Sequence, residues 1–172
     1  NTQVTDLSPL AGMPLETVSL PSGATDLSPL KDLPLKVVDI PHTLATSLKA
    51  LAGKKLESLY VSSPLPMDWS GLADIETTTL SIYGNNFEDL SLISHMPLTE
   101  LIIGSPKITD LSPLADLSLR KIQLRDTKIT DLSPLRGMPL EELVLTNCTI
   151  SDLSPLADLP ITFLHITDCP IT

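Results

Sequence analysis

Three histidines, two cysteines and a recurring aspartate are the residues of this chain that could support catalysis or metal binding, and their spacing argues against both. His42, His95 and His165 fall in three different parts of a repeating unit of about 21 residues. One sits in a turn after a strand, one on the convex side and one on the sheet face, so they cannot converge on a substrate. No nucleophile–base pairing, phosphate-cradling glycine loop or paired metal motif accompanies them, and the chain is read as non-catalytic. Asp6, Asp26, Asp68, Asp89, Asp110, Asp131 and Asp152 supply one carboxylate per unit, each two residues before a turn. A calcium site gathers about six to eight oxygens. Local turn capping is therefore the expected role, and no metal or cofactor is expected. Cys148 and Cys169 are 21 residues apart and share one column in adjacent units. Stacking at about 4.8 Å would permit a disulfide, whereas inward-facing thiols in a ladder pack as small hydrophobes, and free thiols are the favoured reading. Asn147-Cys148-Thr149 fits a glycosylation sequon, a match that chance explains.

The units themselves are marked by the hexad Thr-Asp-Leu-Ser-Pro-Leu, which begins at Thr5, Thr25, Thr109 and Thr130 and recurs from Ser151. Degenerate copies start at Thr46, Met67 and Glu88, so coils starting near 5, 25, 46, 67, 88, 109, 130 and 151 tile residues 1–172 as one array of eight. Ten residues into each coil stands Leu-x-x-Leu-x-Leu. Its middle column runs Val18, Val38, Leu59, Leu80, Leu101, Ile122, Leu143, Leu164, and its last column Leu20, Ile40, Val61, Ile82, Ile103, Leu124, Leu145, Ile166. Apolar residues two apart share one face of a short strand, and neither column contains a polar side chain. One coil cannot enclose them, but stacked coils bury them beneath a parallel sheet. Ser8-Pro9, Ser28-Pro29, Ser112-Pro113, Ser133-Pro134 and Ser154-Pro155 read as starts of single α or 3-10 turns, with Ser as N-cap and Pro at the first helical position. A second proline at Pro14, Pro34, Pro97, Pro139 and Pro160 stops the turn and extends the chain into the next strand. Leu7, Leu10 and Met13, with their equivalents, are expected in the core.

Composition agrees with a packed array. Hydrophobic residues make up 42% and charged residues 19% of 172, which excludes a disordered chain. With five aromatics, one Trp, two Tyr and two Phe, the core is expected to rest on Leu, Ile and Val rather than on large rings. A net charge of −10 excludes nucleic acid as a partner, because phosphate binding needs clustered Lys and Arg. No apolar run approaches the roughly 18 residues of a membrane span, and membrane insertion of this segment is not expected.

In its repeated Ile-Thr-Asp-Leu-Ser-Pro-Leu segments the chain resembles the leucine-rich repeats, and within them the short bacterial, internalin-like class. The resemblance covers the whole chain. It implies an α/β repeat: a leucine-rich-repeat solenoid with a parallel β-sheet on the concave face, short 3-10 or α turns on the convex side, and eight coils of about 21 residues. One departure concerns the family's inward Asn, three residues after the last strand Leu. That place holds Asn85 in one coil and otherwise Gly23, Thr43, Pro64, Pro106, Thr127, Cys148 and Cys169, so Thr or Cys takes over there. The resemblance implies binding of proteins, or sometimes glycans, on the concave sheet, and an extracytoplasmic or cell-surface setting. Asn1-Thr-Gln-Val4 matches the tail of a coil, and Asp168 to Thr172 stops where a hexad is due. A fragment cut from a longer array, prone to end-to-end self-association, is the expectation.

The concave face comprises the residues before, between and after the last two strand apolars. Three of the five aromatics fall there: Tyr60, Tyr83 and Phe163. The expected binding patch is Tyr60, Tyr83, Ile102, Gln123 and Arg125, with Phe163 and His165 as a second cluster, since exposed aromatics on a rigid sheet suit a hot spot. β-Propensity alone also places aromatics on a sheet surface. The expected function is non-catalytic protein recognition, with glycan recognition and a structural spacer as alternatives.

Overall fold

The computed structural model describes residues 5–172, so the reading of residues 1–4 as a coil tail lies outside them. Eight strands form one sheet in sequence order, every neighbouring pair parallel. They are β1 (Thr17–Ser19), β2 (Val37–Ile40), β3 (Lys55–Ser63), β4 (Glu76–Gly84), β5 (Glu100–Gly104), β6 (Lys121–Arg125), β7 (Glu142–Thr146) and β8 (Phe163–Thr167). Register follows the repeat: Val38 pairs with Leu59, Leu59 with Leu80, Leu80 with Leu101 and Leu101 with Ile122. Both apolar columns are buried from β1 to β7, which removes about 1.5 to 3 kcal/mol of apolar surface per side chain from water. At the edge strand β8, Leu164 is 46% exposed, having a neighbouring coil on one side only.

Each coil returns through a 3-10 turn, and among the described residues no α-helix occurs. The cap is Asp rather than the expected Ser. In the Ser-Pro-Leu turns the serine is the first helical residue, and its N–H donates to the carboxylate two residues earlier. These bonds are 2.9 Å at Asp6, 2.8 Å at Asp26 and Asp110, and 2.7 Å at Asp131 and Asp152. Asp68 and Asp89 cap Ser70 and Ser91 alike, and in the coil without an Asp the Ser47 hydroxyl accepts from the Lys49 N–H at 3.1 Å. Serine loses the cap because a one-turn helix offers its first free N–H to the side chain two residues upstream, the geometry of an Asx turn.

Strand length tracks proline. β3 and β4 run nine residues because Lys55 and Glu76 stand where other coils carry the second proline. Both keep an N–H, and the Glu76 N–H reaches the Lys54 carbonyl at 3.0 Å. Coil six also lacks that proline, with Ser118 in its place, yet β6 stays short because its neighbours carry Pro97 and Pro139 and a ladder needs two partners.

The core departs from expectation in two places. Met13 is 42% exposed, while its equivalent Leu33 is 3% exposed, because Met13 lies in the first coil and packs from one side only. An aromatic pair also enters the core. Trp69 meets Phe87 edge-on, with centroids 5.3 Å apart at 63°, and both are buried. Room for the indole comes from Gly84, where a Cβ would lie 2.5 Å from Trp69 Cζ2.

Inside the turns after β2 to β8, a polar side chain or thiol satisfies the backbone. Thr43 Oγ1 donates to the Ala24 carbonyl at 2.9 Å and accepts the Ala45 N–H. Thr127 pairs with Cys148 Sγ at 3.3 Å, and that thiol reaches the Leu124 and Thr146 carbonyls, so Thr and Cys do replace Asn there. Elsewhere the place shifts by one residue. Ser63 and Ser105 are buried in place of Pro64 and Pro106, and Asn86, not the exposed Asn85, turns inward. Its Nδ2 donates to the Met67 carbonyl at 2.8 Å, and its Oδ1 accepts from Met67 N and Trp69 Nε1. The cause is a left-handed corner residue, with φ 47° at His42, 54° at Asp126 and 51° at Asn147. Ser63, Gly84 and Ser105 hold that place without the left-handed turn, which moves the inward position.

Candidate functional site: the exposed face of the sheet

Pleating sends every residue between the two buried columns to the solvent face. That central column reads Ser19, Asp39, Tyr60, Ser81, Ile102, Gln123, Val144 and His165, paired strand by strand. Neighbours within it are about 4.8 Å apart. The column beyond it contains Ser62, Tyr83, Gly104 and Arg125, also in register.

Tyr60, Tyr83, Ile102, Gln123 and Arg125 therefore come together on the four adjacent strands β3 to β6. Tyr60 and Tyr83 are each 37% exposed. Between Tyr60 and Ile102 stands Ser81, only 5% exposed because the larger side chains on either side wall it in. Tyr83 has small neighbours instead, Ser62 on one side and Gly104 on the other. The edge of its ring fills the space above Gly104, where a Cβ would be 2.7 Å from Cε1 and nearer still to Cδ1. Arg125 reaches Gln123 Oε1 at 3.4 Å, a long contact that leaves the guanidinium available.

Phe163 and His165 sit apart on β8, three strands from Ile102. Phe163 is 52% exposed, but so is its core-column neighbour Leu164 to nearly the same degree, and that exposure belongs to the edge as much as to the side chain. His165 is occupied by Thr167 Oγ1 at 2.8 Å. Val144, in the central column of β7, links the two groups and was not singled out from the sequence. Its place between Gln123 and His165 was the available signal.

Apart from Asp39 and Arg125 at its two ends, the strip has its charges beside it. Lys36 bonds Glu16 at 2.7 Å, Lys121 bridges Glu100 and Glu142 at 3.3 and 3.4 Å, and Arg120 pairs with Glu141. The Glu16 carboxylate holds the Lys36 ammonium above its ordinary pKa. Exposed pairs of this kind add little stability. Their effect is to offset part of the acidic charge at the strand-entry margin, and the strip between Asp39 on β2 and Arg125 on β6 carries no charge of its own.

The residues singled out for chemistry stay apart. His95 Nε2 lies 3.1 Å from the Ile75 carbonyl on the return side, far from the sheet face. Cys148 is a buried free thiol and Cys169 a half-buried one, and burial raises the Cys148 pKa. Among the described residues no three His, Cys, Asp or Glu side chains cluster to hold a metal. Among the described residues no helix is long and apolar enough to cross a membrane.

No family model and no curated protein matches the chain. Solved structures do. An internalin (inlF) from Listeria monocytogenes matches with a TM-score of 0.84 at 29% identity, over 99% of this chain and 53% of that one. An internalin C2 from the same species matches with a TM-score of 0.69 at 27% identity, over 88% of this chain and 71% of that one. The chain thus spans about half the length of the first structure. Eight in-register parallel strands and a 3-10 return in every coil make the chain a leucine-rich-repeat solenoid, and its structure is similar to those of the two internalins.

Proposed function

We propose that the chain is a non-catalytic recognition module that binds a protein partner on the exposed face of its sheet. The observation that carries this reading is the contiguous strip of Tyr60, Tyr83 and Ile102 on neighbouring strands, flanked by paired charges. Aromatics on a rigid sheet bring contact area at small entropic cost, and Gln123 and Arg125 add orienting polar groups at the margin. The likeness to internalins supports an interaction module in general terms and names no partner. The β8 pair, Phe163 and His165, extends the surface through Val144. A spacer that merely sets distance would not need the strip.

The test is capture of partners from the native source by this chain, identification by mass spectrometry, and titration of the purified partner against a Tyr60→Ala/Tyr83→Ala variant of equal circular dichroism. Loss of about 2 kcal/mol or more, some 30-fold in Kd, is expected. Equal affinity of the two proteins would remove the strip as the binding face, and failure to capture any partner would shift the assignment to a spacer.

A further inference from the structure

We propose that Cys148 and Cys169 form a redox clip, two thiols that a small-molecule disulfide such as glutathione disulfide converts into a bond between the last two coils. Both are free here, Cys148 buried and Cys169 half-buried, so the structure is that of the reduced form. Each stands three residues after the last buried-column residue of its strand, Leu145 on β7 and Ile166 on β8, which pair in register. The two cysteines therefore occupy one inward column on neighbouring coils.

Three observations bring them within reach. The backbone is tied immediately before them: the Asn147 N–H donates to the Thr167 carbonyl at 2.9 Å, and Asn147 and Asp168 make the same left-handed turn, with φ 51° and 54°. Both thiols leave that turn alike, each 3.4 Å from the carbonyl two residues earlier. The preceding step of the column shows how closely its side chains approach, since Thr127 Oγ1 lies 3.3 Å from Cys148 Sγ. A spacing of about 4.8 Å between coils falls within the roughly 4.4 to 6.8 Å that a disulfide spans between Cα atoms. Closing the bond draws the Cβ atoms to about 3.8 Å and moves the Cys148 sulfur away from the Leu124 carbonyl, now 3.5 Å distant. The last coil can yield that much because it packs from one side only, with Leu164 46% exposed.

The two sulfurs divide the chemistry. Burial pushes the Cys148 thiol above its ordinary pKa, so the more accessible Cys169 meets the oxidant first. Its thiolate attacks one sulfur of glutathione disulfide, the S–S bond of the oxidant breaks, and one glutathione thiolate leaves. Cys148 then gives up its proton and attacks the Cys169 sulfur, which releases the second glutathione thiolate. The chain loses two protons and two electrons, and glutathione disulfide takes up both electrons as it becomes two thiols. Among the described residues no third His, Cys, Asp or Glu joins the two thiols, which leaves them short of the tetrahedral set that zinc takes. The bond joins positions 21 residues apart and restricts the chain that an opened last coil would release. Oxidation thus holds Phe163 and His165 of β8 against β7, and reduction lets that edge fray.

The experiment treats the folded 172-residue chain with glutathione disulfide at about pH 8, without denaturant, where thiolates form. Intact mass should fall by two hydrogens, and peptide mapping should show Cys148 joined to Cys169 within one chain. Hydrogen exchange of the β8 amides should slow about tenfold or more against the reduced chain, and dithiothreitol should restore it. Cys148→Ser should stop at the mixed disulfide on Cys169, with β8 exchange unchanged by the oxidant. A wild-type chain that keeps both thiols, stops at the mixed disulfide or links to a second chain would overturn the proposal. So would a closed bond that leaves β8 exchange as fast as before.

Discussion

Asn86 carries three hydrogen bonds that tie one coil to the next, two to the Met67 backbone and one from the Trp69 indole at 3.0 Å. An Asn86→Ala chain should melt well below wild type, with about 1 to 3 kcal/mol lost for each buried group left unpaired; an unchanged thermal midpoint would contradict this role. Gly84 answers to the same indole from the strand side. Gly84→Ala introduces a Cβ 2.5 Å from Trp69 Cζ2, and overpacking of about 1 to 3 kcal/mol is expected in chemical denaturation. Neither role was visible in the repeat, where Asn85 occupies the aligned position. Alignment counts residues, whereas the inward position depends on whether the corner before it turns left-handed.

At the level of the element, proline governs how far each strand runs. Ile75, the residue before Glu76, already has φ −109° and ψ 140°, the extended conformation that a following proline demands. Glu76→Pro should therefore fold and lose only the bond from Glu76 N–H to the Lys54 carbonyl and the exposed Lys55 pair at 3.0 Å. A cost near 1 kcal/mol is expected in urea unfolding, and a loss above about 3 kcal/mol would show that the extension is structural. The 3-10 turns follow similar local rules. Their caps were legible as an Asp column, but its division of labour with the neighbouring serine was not, since both are good caps in sequence and only the one-turn geometry separates them.

For the whole molecule, seven capping aspartates repeat one interaction along the convex side, and acid should undo them together. At Asp68 the Ser70 hydroxyl, Lys49 and the Ser70 N–H hold the carboxyl down to about 2. The Ser8, Ser28, Ser91, Ser112, Ser133 and Ser154 bonds lower Asp6, Asp26, Asp89, Asp110, Asp131 and Asp152 in the same direction. A depressed native pKa contributes stability that is complete above the unfolded value and disappears as pH falls through the native one. The melting temperature should thus be flat above about pH 5 and fall steeply toward about pH 2. A chain with the caps changed to Asn should start lower and lose much of that slope. The core gives the complementary test: Leu101→Ala empties a fully buried place in the middle ladder and should cost about 2 to 5 kcal/mol.

Repeat period, strand phase, buried columns and sheet face were determined by the sequence itself, because a 21-residue period and two-residue pleating are local and recur often enough to be read without coordinates. Tyr60, Tyr83 and Ile102 could be assigned to one face on that basis. What the tertiary structure decided were the features that depend on two coils at once. Gly104 makes room for the edge of the Tyr83 ring, Tyr60 and Ile102 bury Ser81, Gly84 admits Trp69, and Pro97 and Pro139 keep β6 short. Each is a contact across the stack, where the size of one side chain sets the freedom of a residue about 21 positions away, and no single coil contains that information.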